Sequence, residues 1–339
     1  MVDRRRRLDA FLARAGWTGA GVLPLAGDAS FRRYHRVRRG ERRAVVMDAP
    51  PAHEDVRPFV ALARHLRALG FSAPRIHAED AAEGFLLIED VGDDTYTRLL
   101  TRPRVGDPDE WALYALAVDV LIALHRRPPR ETVPEGLAPY DDRRLMDEAN
   151  LLVDWYLPAV GGGPLSTAAR DAYARAWLAV FPVVHAQPRT LVLRDFHVDN
   201  LMWLAGRHGI AACGLLDFQD AVAGPPAYDL MSLLEDARRD IDPGLVGAMM
   251  ARYRAAFPDL DVAGFCASYA VLAAQRHAKV IGIFTRLCRR DGKCDYLVHV
   301  PRVWRMLEAA LAVPILDPVA RWFENHVPRA RRIRPDATP

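Results

Sequence analysis

The first ninety residues alternate short apolar runs with turn-forming residues. Residues 31–37 and 43–47 read as strands, and Ala26–Gly27–Asp28–Ala29–Ser30 supplies turn chemistry ahead of the first. Residues 85–88 read as a buried strand ending at Glu89–Asp90, and residues 54–69 read as a helix stopped by Gly70. After Gly92 the apolar spacing becomes helical. Asp107–Pro108–Asp109–Glu110 combines an N-cap, a first-turn proline and a capping-box glutamate. The helix it opens runs to about His125, with Trp111, Leu113, Leu116, Val120 and Leu124 on or near one face. Residues 141–157 and 167–184 read as further helices, the first ended by Pro158 and the second kinked at Pro182. Residues 191–218 turn β-like, and the chain is helical from Asp229 apart from loops near Asp242–Pro243, Pro258 and Asp291–Gly292. The expected architecture is α+β and two-lobed. A small β-rich, nucleotide-binding lobe covers residues 1–91, a large mainly helical lobe covers 92–328, and a flexible Arg- and Pro-rich tail covers 329–339. A cleft between lobes is a common place for a small-molecule site.

Composition removes several classes of function. Lys+Arg total 46 against 43 Asp+Glu, a formal net charge of +3, too balanced to predict a nucleic-acid partner. The basic stretches at Arg4–Arg7 and Arg329–Arg334 lack interleaved aromatic residues for base stacking and read as solvated. No run of 18 apolar residues occurs, and no long apolar stretch follows the first arginines, so no membrane partner is expected and a cytoplasmic location is the default. Cys213, Cys266, Cys288 and Cys294 form no C-x-x-C pair, which argues against a disulfide scaffold or a zinc site. Only two lysines exist, Lys279 and Lys293, and neither lies in a glycine-rich loop, so a Walker A phosphate loop is excluded.

The β-like segment carries the chemistry. A strand enters at Leu191–Val192–Leu193, the loop Arg194–Asp195–Phe196–His197–Val198–Asp199–Asn200 follows, and Leu201–Met202–Trp203 leaves. A turn at Gly206–Arg207–His208–Gly209 leads to a second strand ending in Asp217–Phe218–Gln219. Asp195 and Asn200 form D-x-x-x-x-N, and Asp217 closes the following hairpin, which is the order met in phosphoryl transfer. Asp195 is the candidate base for an acceptor hydroxyl. Asn200 and Asp217 offer hard oxygens for magnesium, which keeps several waters and needs few protein ligands.

The segments LRDFHVDNLMWL and GLLDFQDAVAGPPAYDLMSLLED resemble the aminoglycoside phosphotransferase-like kinases, whose fold is protein-kinase-like. The usual H-G-D is replaced here by Leu193–Arg194–Asp195. Within that superfamily the chain is similar to the anomeric kinases of N-acetylmuramate and N-acetylglucosamine. That similarity extends over GDASFRRYHRV, VVMDAPP, FLLIEDVGDDTY and QRHAKVIGIFTRL. The resemblance implies ATP- and Mg2+-dependent phosphorylation of a sugar C1 hydroxyl in cell-wall sugar recycling. It implies Asp195 as base, Asn200 and Asp217 as magnesium ligands, and Glu89–Asp90–Val91 as the hinge whose backbone binds adenine. It also implies Gly27, Asp28, Ala29 and Ser30 as the loop over the phosphates, a segment that otherwise reads as a plain turn. Kinases of this fold place a lysine on the third strand. The matching strand, residues 44–48, has none, which makes Arg32, Arg33 and Arg43 candidate substitutes.

For the acceptor, His197 and Asp199 flank Asp195. Glu148 and Trp155 lie seven apart on one predicted helix, and so on one face. Arg276, His277 and Lys279 sit on a late helix, where Arg276 or Lys279 suits a carboxylate. The same residues have plainer readings: Trp155 as core, Glu148 as a surface charge, Arg276 as partner of a nearby acid, His197 as a loop brace. Asp229 reads as an N-cap or a brace for the catalytic loop. An aminoglycoside, choline or another alcohol stays open as acceptor, and the missing lysine keeps a non-catalytic nucleotide-binding module in view.

Overall fold

The structure is a computed structural model in which residues 2–25, 31–161 and 163–337 are described. In chain order the elements begin with α1 (Val2–Arg14), β1 (Gly21–Pro24), β2 (Arg33–Arg39), β3 (Arg42–Asp48), α2 (Arg57–Ala68), β4 (Ile76–Asp80), β5 (Phe85–Ile88), α3 (Tyr96–Thr101) and α4 (Glu110–His125). Next come α5 (Pro129–Thr132), α6 (Asp142–Leu151), a wide π-turn (Leu152–Tyr156), α7 (Leu157–Ala159), α8 (Thr167–His185), β6 (Thr190–Val192), β7 (Leu201–Trp203), β8 (Cys213–Leu215) and β9 (Val222–Gly224). The chain finishes with α9 (Ala227–Leu234), α10 (Pro243–Ala255), α11 (Val262–Asp291), α12 (Val300–Leu311) and α13 (Asp317–His326).

Two compact units form: Met1–Val120 with Val198–Asp220, and Leu121–His197 with Ala221–Pro339. The first unit therefore takes in residues 92–120 and the β7–β8 hairpin. Backbone bonds explain this grouping: Leu215 N–H donates to Ser72 (3.0 Å), Trp203 N–H to Asp94 (2.8 Å) and Thr97 N–H to Val198 (3.2 Å).

The first unit is built on an antiparallel sheet in the order β1-β2-β3-β5-β4. Residues 2–14, which carry no strand pattern, form a helix rather than extending the β-rich region. Arg5, Arg6 and Arg7 face out, half-buried Arg4 lies over the Phe85 ring and reaches Asp48, and Leu8, Phe11 and Leu12 pack on Val37, Ala44, Val46, Phe85 and Leu87. Each large side chain fully buried there contributes roughly 1.5–3 kcal/mol over exposure. The start of α4 also differs in detail. Asp109 accepts from Ala112 N–H (2.8 Å), whereas Asp107 accepts from Arg104 N–H (2.8 Å) in the preceding turn.

The second unit is helical around α11, thirty residues long and buried on most of its circumference. Gly282 permits its packing. A Cβ there would lie 2.3 Å from the Leu151 carbonyl oxygen, so no larger residue fits without moving the backbone. Gly292 ends the helix in the left-handed region (φ 69°), and past that turn Cys294 forms a disulfide with Cys288, so two of the four cysteines do pair. Pro182 lies inside α8 without ending it. Residues 329–337, read above as tail, carry contacts: Tyr156 Oη donates to the Ile333 carbonyl (2.8 Å) and Arg332 pairs with Glu308 (2.6 Å). No helix among the described residues is long and apolar enough to cross a membrane.

His125 gives this unit a pH signature. Its Nδ1 faces the Tyr253 hydroxyl at 2.7 Å, and burial pushes the imidazole down to about 3. In the unfolded chain a histidine titrates near 6.5. Between those values the unfolded state binds the extra proton. Stability that is complete above about pH 6.5 is therefore lost as pH falls, at up to about 1.4 kcal/mol per pH unit. Urea midpoints measured from pH 7 to 5 are expected to decline, and His125→Asn to flatten that decline whatever its effect at pH 7. Equal slopes in both proteins would remove His125 as the source.

Candidate active site

In the first unit the period-2 alternation of β2 turns Tyr34 and Arg36 to one side, and Arg32, just ahead of the strand, joins them. Together with Val45, Phe59, Pro74, Ile88 and Met202 they line a cavity of about 400 Å3, within the range of small-molecule sites. Glu89, Asp90, Val91, Asp199, Asn200 and Asp217 line the same cavity. Gly27, Asp28, Ala29 and Ser30 lie outside the described residues. Arg33 falls on the opposite face of β2 and Arg43 lines a separate hollow with Trp17 and His77, so of the three candidate arginines only Arg32 lines the cavity.

The side chains of Glu89 and Asp90 are committed elsewhere. Glu89 accepts from Arg207 (2.5 Å) and from Arg75 N–H (3.1 Å). Asp90 holds Arg36 through both oxygens, at 3.0 and 2.8 Å, and Arg36 also reaches Asp93 at 2.9 Å. The Glu89 N–H is also engaged, donating to the Arg75 carbonyl at 2.8 Å. Tyr34, Arg36 and Asp93 were not anticipated as lining residues; the alternation from Arg32 through Tyr34 to Arg36 was the available signal.

The hairpin register sets the oxygen pair. Leu201 faces Leu215 across β7–β8, and Leu216 N–H donates to the Asn200 carbonyl at 3.0 Å, so Asn200 and Asp217 sit at one end of the ribbon. Asp217 has φ 57° and shares with Arg194 (φ 70°) the distinction of a positive φ among the described non-glycine residues. Such conformations cost energy and persist where the surroundings over-determine them. Asp217 Oδ1 receives Gln219 Nε2 (2.9 Å) and Arg32 Nη2 (3.0 Å), and Arg32 Nε lies 4.0 Å from Glu54. Among the described residues no group of three or more His, Cys, Asp or Glu side chains is placed to hold a metal ion by itself. An amide–carboxylate pair of hard oxygens suits magnesium that keeps waters and takes further ligands from phosphates. Asp199, expected at the acceptor, instead accepts from the Thr97 hydroxyl on this cavity's wall.

In the second unit β6 pairs with β9, and the chain then turns sharply. Leu193 N–H and Arg194 N–H donate to the two oxygens of buried Asp229, at 2.6 and 2.9 Å. Asp229 thus braces the loop and is not the cap of α9. Burial pushes its carboxyl up to about 7 against the pull of those two N–H groups. Asp195 follows immediately. Burial raises its carboxyl, but Lys279, His197, Arg194 and Arg276 together bring it below the ordinary value. His197 is buried, and that burial holds it below the usual histidine range, so it is neutral at pH 7.

Glu148 is no surface charge. Its Oε1 takes Arg194 Nη2 and Lys279 Nζ (the latter at 3.1 Å), and its Oε2 takes the Tyr140 hydroxyl and Gln275 Nε2 (the latter at 3.2 Å). Burial opposes its ionisation, yet Lys279 and Arg194 hold it down to about 2. Four donors leave Glu148 little capacity for a sugar. Nor does it share a face with Trp155. The π-turn, closed by Leu157 N–H to the Leu152 carbonyl, breaks the 3.6-residue period between them and leaves Trp155 half-buried.

A profile described as the phosphotransferase enzyme family matches residues 21–266. The chain belongs to that family. The N-acetylmuramate/N-acetylglucosamine kinase of Caulobacter vibrioides is 37% identical, over 96% of this chain and 97% of its own length. The protein of that name from Pseudomonas aeruginosa is 40% identical, over 86% and 84%. Among solved structures, the GDP complex of aminoglycoside 2'-phosphotransferase-IIIa aligns with a TM-score of 0.60 at 15% identity, covering 91% of this chain and 98% of that one. The α+β, protein-kinase-like fold class expected from the sequence is thereby shown. Within the family motif, the left-handed backbone at Arg194 explains why H-G-D carries glycine at this position. This member keeps an arginine there, held by Glu148.

Proposed function

We propose that this phosphotransferase moves the γ-phosphoryl group of ATP to the C1 hydroxyl of N-acetylmuramate or N-acetylglucosamine, a step of cell-wall sugar recycling. The observation that carries the reading is the near full-length identity to kinases of that name, at 37% over 96% of the chain. The C1 oxygen bonds to the γ-phosphorus, the bond from that phosphorus to the bridging oxygen of ADP breaks, and the hydroxyl proton passes to Asp195. The products are the sugar 1-phosphate and ADP.

Asp195 is ionised at neutral pH and so is ready to orient and receive the hydroxyl proton. Asn200 and Asp217 would hold Mg2+, which when bound neutralises charge on the phosphates. Arg32 stands for the absent strand lysine, and the backbone of residues 89–91 for the adenine contact. The cations around Asp195 disfavour an aminoglycoside or choline, whose positive charge would meet Arg194, Arg276 and Lys279.

ADP release with Mg-ATP is expected with both free sugars. None is expected with the methyl glycoside of N-acetylglucosamine, whose C1 oxygen is blocked, or with kanamycin or choline. Turnover of the methyl glycoside would place the reacting hydroxyl elsewhere, and turnover confined to kanamycin or choline would discard the sugar acceptor while keeping the reaction.

A further inference from the structure

α11 buries Gln275, Arg276, His277 and Lys279 within an otherwise largely apolar helix. Three of the four have partners inside the second unit. Gln275 donates to the Leu145 carbonyl (3.0 Å) and to Glu148, His277 meets Glu235 at 2.6 Å, and Lys279 meets Glu148 at 3.1 Å. Arg276 is as buried as they are, yet its Nη1 has no hydrogen-bond partner among the described residues. A guanidinium N–H taken out of water without an acceptor is costly, and such groups in native proteins are met by something.

Three carboxylates of this unit are engaged, while buried Asp236 keeps one oxygen without a hydrogen-bond partner among the described residues. Glu148 takes four donors, Asp229 takes two backbone N–H groups, and Glu235 takes His277. Asp195 is close enough to feel the charge of Arg276, but its oxygens are required for the acceptor hydroxyl. An acceptor brought by the substrate would meet that need. A guanidinium fork matches a carboxylate through two parallel hydrogen bonds, and Arg276 stands one helical turn from Lys279, which reinforces the positive potential. Of the two sugars, N-acetylmuramate carries a carboxylate on its lactyl ether, whereas N-acetylglucosamine has a hydroxyl at that carbon.

We propose that Arg276 binds the carboxylate of the acceptor and sets the preference for N-acetylmuramate over N-acetylglucosamine. This rests on the sugar kinase reading above. The test is kcat/KM for each sugar at saturating Mg-ATP, in the full chain and in Arg276→Gln. The expected result is a fall of about 10- to 100-fold in the ratio of N-acetylmuramate to N-acetylglucosamine, carried by KM for N-acetylmuramate. Arg276→Lys, which keeps the charge and loses the fork, is expected to recover part of that ratio.

Equal losses on both sugars, or a loss expressed in KM for ATP, would overturn the proposal. Arg276 would then be serving the base, the phosphates or the fold. A ratio unchanged within about twofold in Arg276→Gln, with both sugars turning over, would equally overturn it. Failure of the unmodified protein on both sugars defeats the kinase reading itself, and is seen before any variant is made.

Discussion

Asp195→Asn is expected to lower kcat by about 10²- to 10⁴-fold while changing KM for either substrate little. Asparagine keeps the shape and one acceptor oxygen, so the acceptor hydroxyl still finds a partner, but it cannot take the proton. The environment of Asp195 makes the prediction specific. Burial alone would raise its carboxyl, and the surrounding cations, Lys279 first among them, overcome that. A carboxylate held below the ordinary value is a weak base. It suits an acceptor whose hydroxyl is already acidic, as a hemiacetal C1 hydroxyl is, and a transition state in which the proton leaves late. The sign follows directly. With the folded value lowered, the working form is complete from about pH 5 upward, and Asp195 gives kcat no inflection between pH 5 and 8. An acid limb that survives in Asp195→Asn would transfer the role of base to His197, whose burial holds it below the usual histidine range. A variant with undiminished kcat would remove Asp195 from the chemistry.

The residues legible in the sequence were those whose relation is local. Asp195, Asn200 and Asp217 lie within 23 residues, on a strand–loop–hairpin whose register follows from its apolar positions. The strands β2, β3 and β5 and the helix α2 were readable for the same reason, since alternation or helical period is written in a few consecutive side chains. What escaped the sequence depends on contacts far along the chain. Glu148 meets Arg194 forty-six residues on and Gln275 one hundred and twenty-seven residues on, so its saturation by protein donors, where a sugar contact was expected, has no local signature. Trp155 was misplaced because one wide turn shifts every later side chain around the helix axis, and nothing in Leu152–Tyr156 announces it. The helix α1 was hidden by its arginines. Leu8, Phe11 and Leu12 supply too narrow an apolar face to stand out beside Arg4–Arg7, yet that face is the part that packs.

Arg32→Met is expected to cut kcat/KM for Mg-ATP by about 10²- to 10³-fold, the scale of losing one preorganised charge on a transferring phosphoryl group. The reasoning starts from composition. With no lysine before Lys279, the strand that should carry the phosphate-binding lysine has Val45, Val46 and Met47 instead. A kinase lysine works as one member of an ion pair with a helix glutamate, beside the metal-binding aspartate. Arg32 reproduces those relations from a different backbone position: 4.0 Å from Glu54, just ahead of α2, 3.0 Å from Asp217, and on the wall of the cavity. Its planar fork can hold Asp217 with one nitrogen and present others to a phosphate, which a methionine of similar length cannot do. Because Arg32 and Asp217 touch, their losses are coupled. Asp217→Asn and Arg32→Met together should cost well less than the product of the single effects, since each already disrupts what the other positions. Fully multiplicative losses would mean that the two side chains act independently. An Arg32→Met enzyme with unchanged KM for ATP and unchanged kcat would show that the phosphates are held without it, and would return the question of the missing lysine to the loop at residues 27–30.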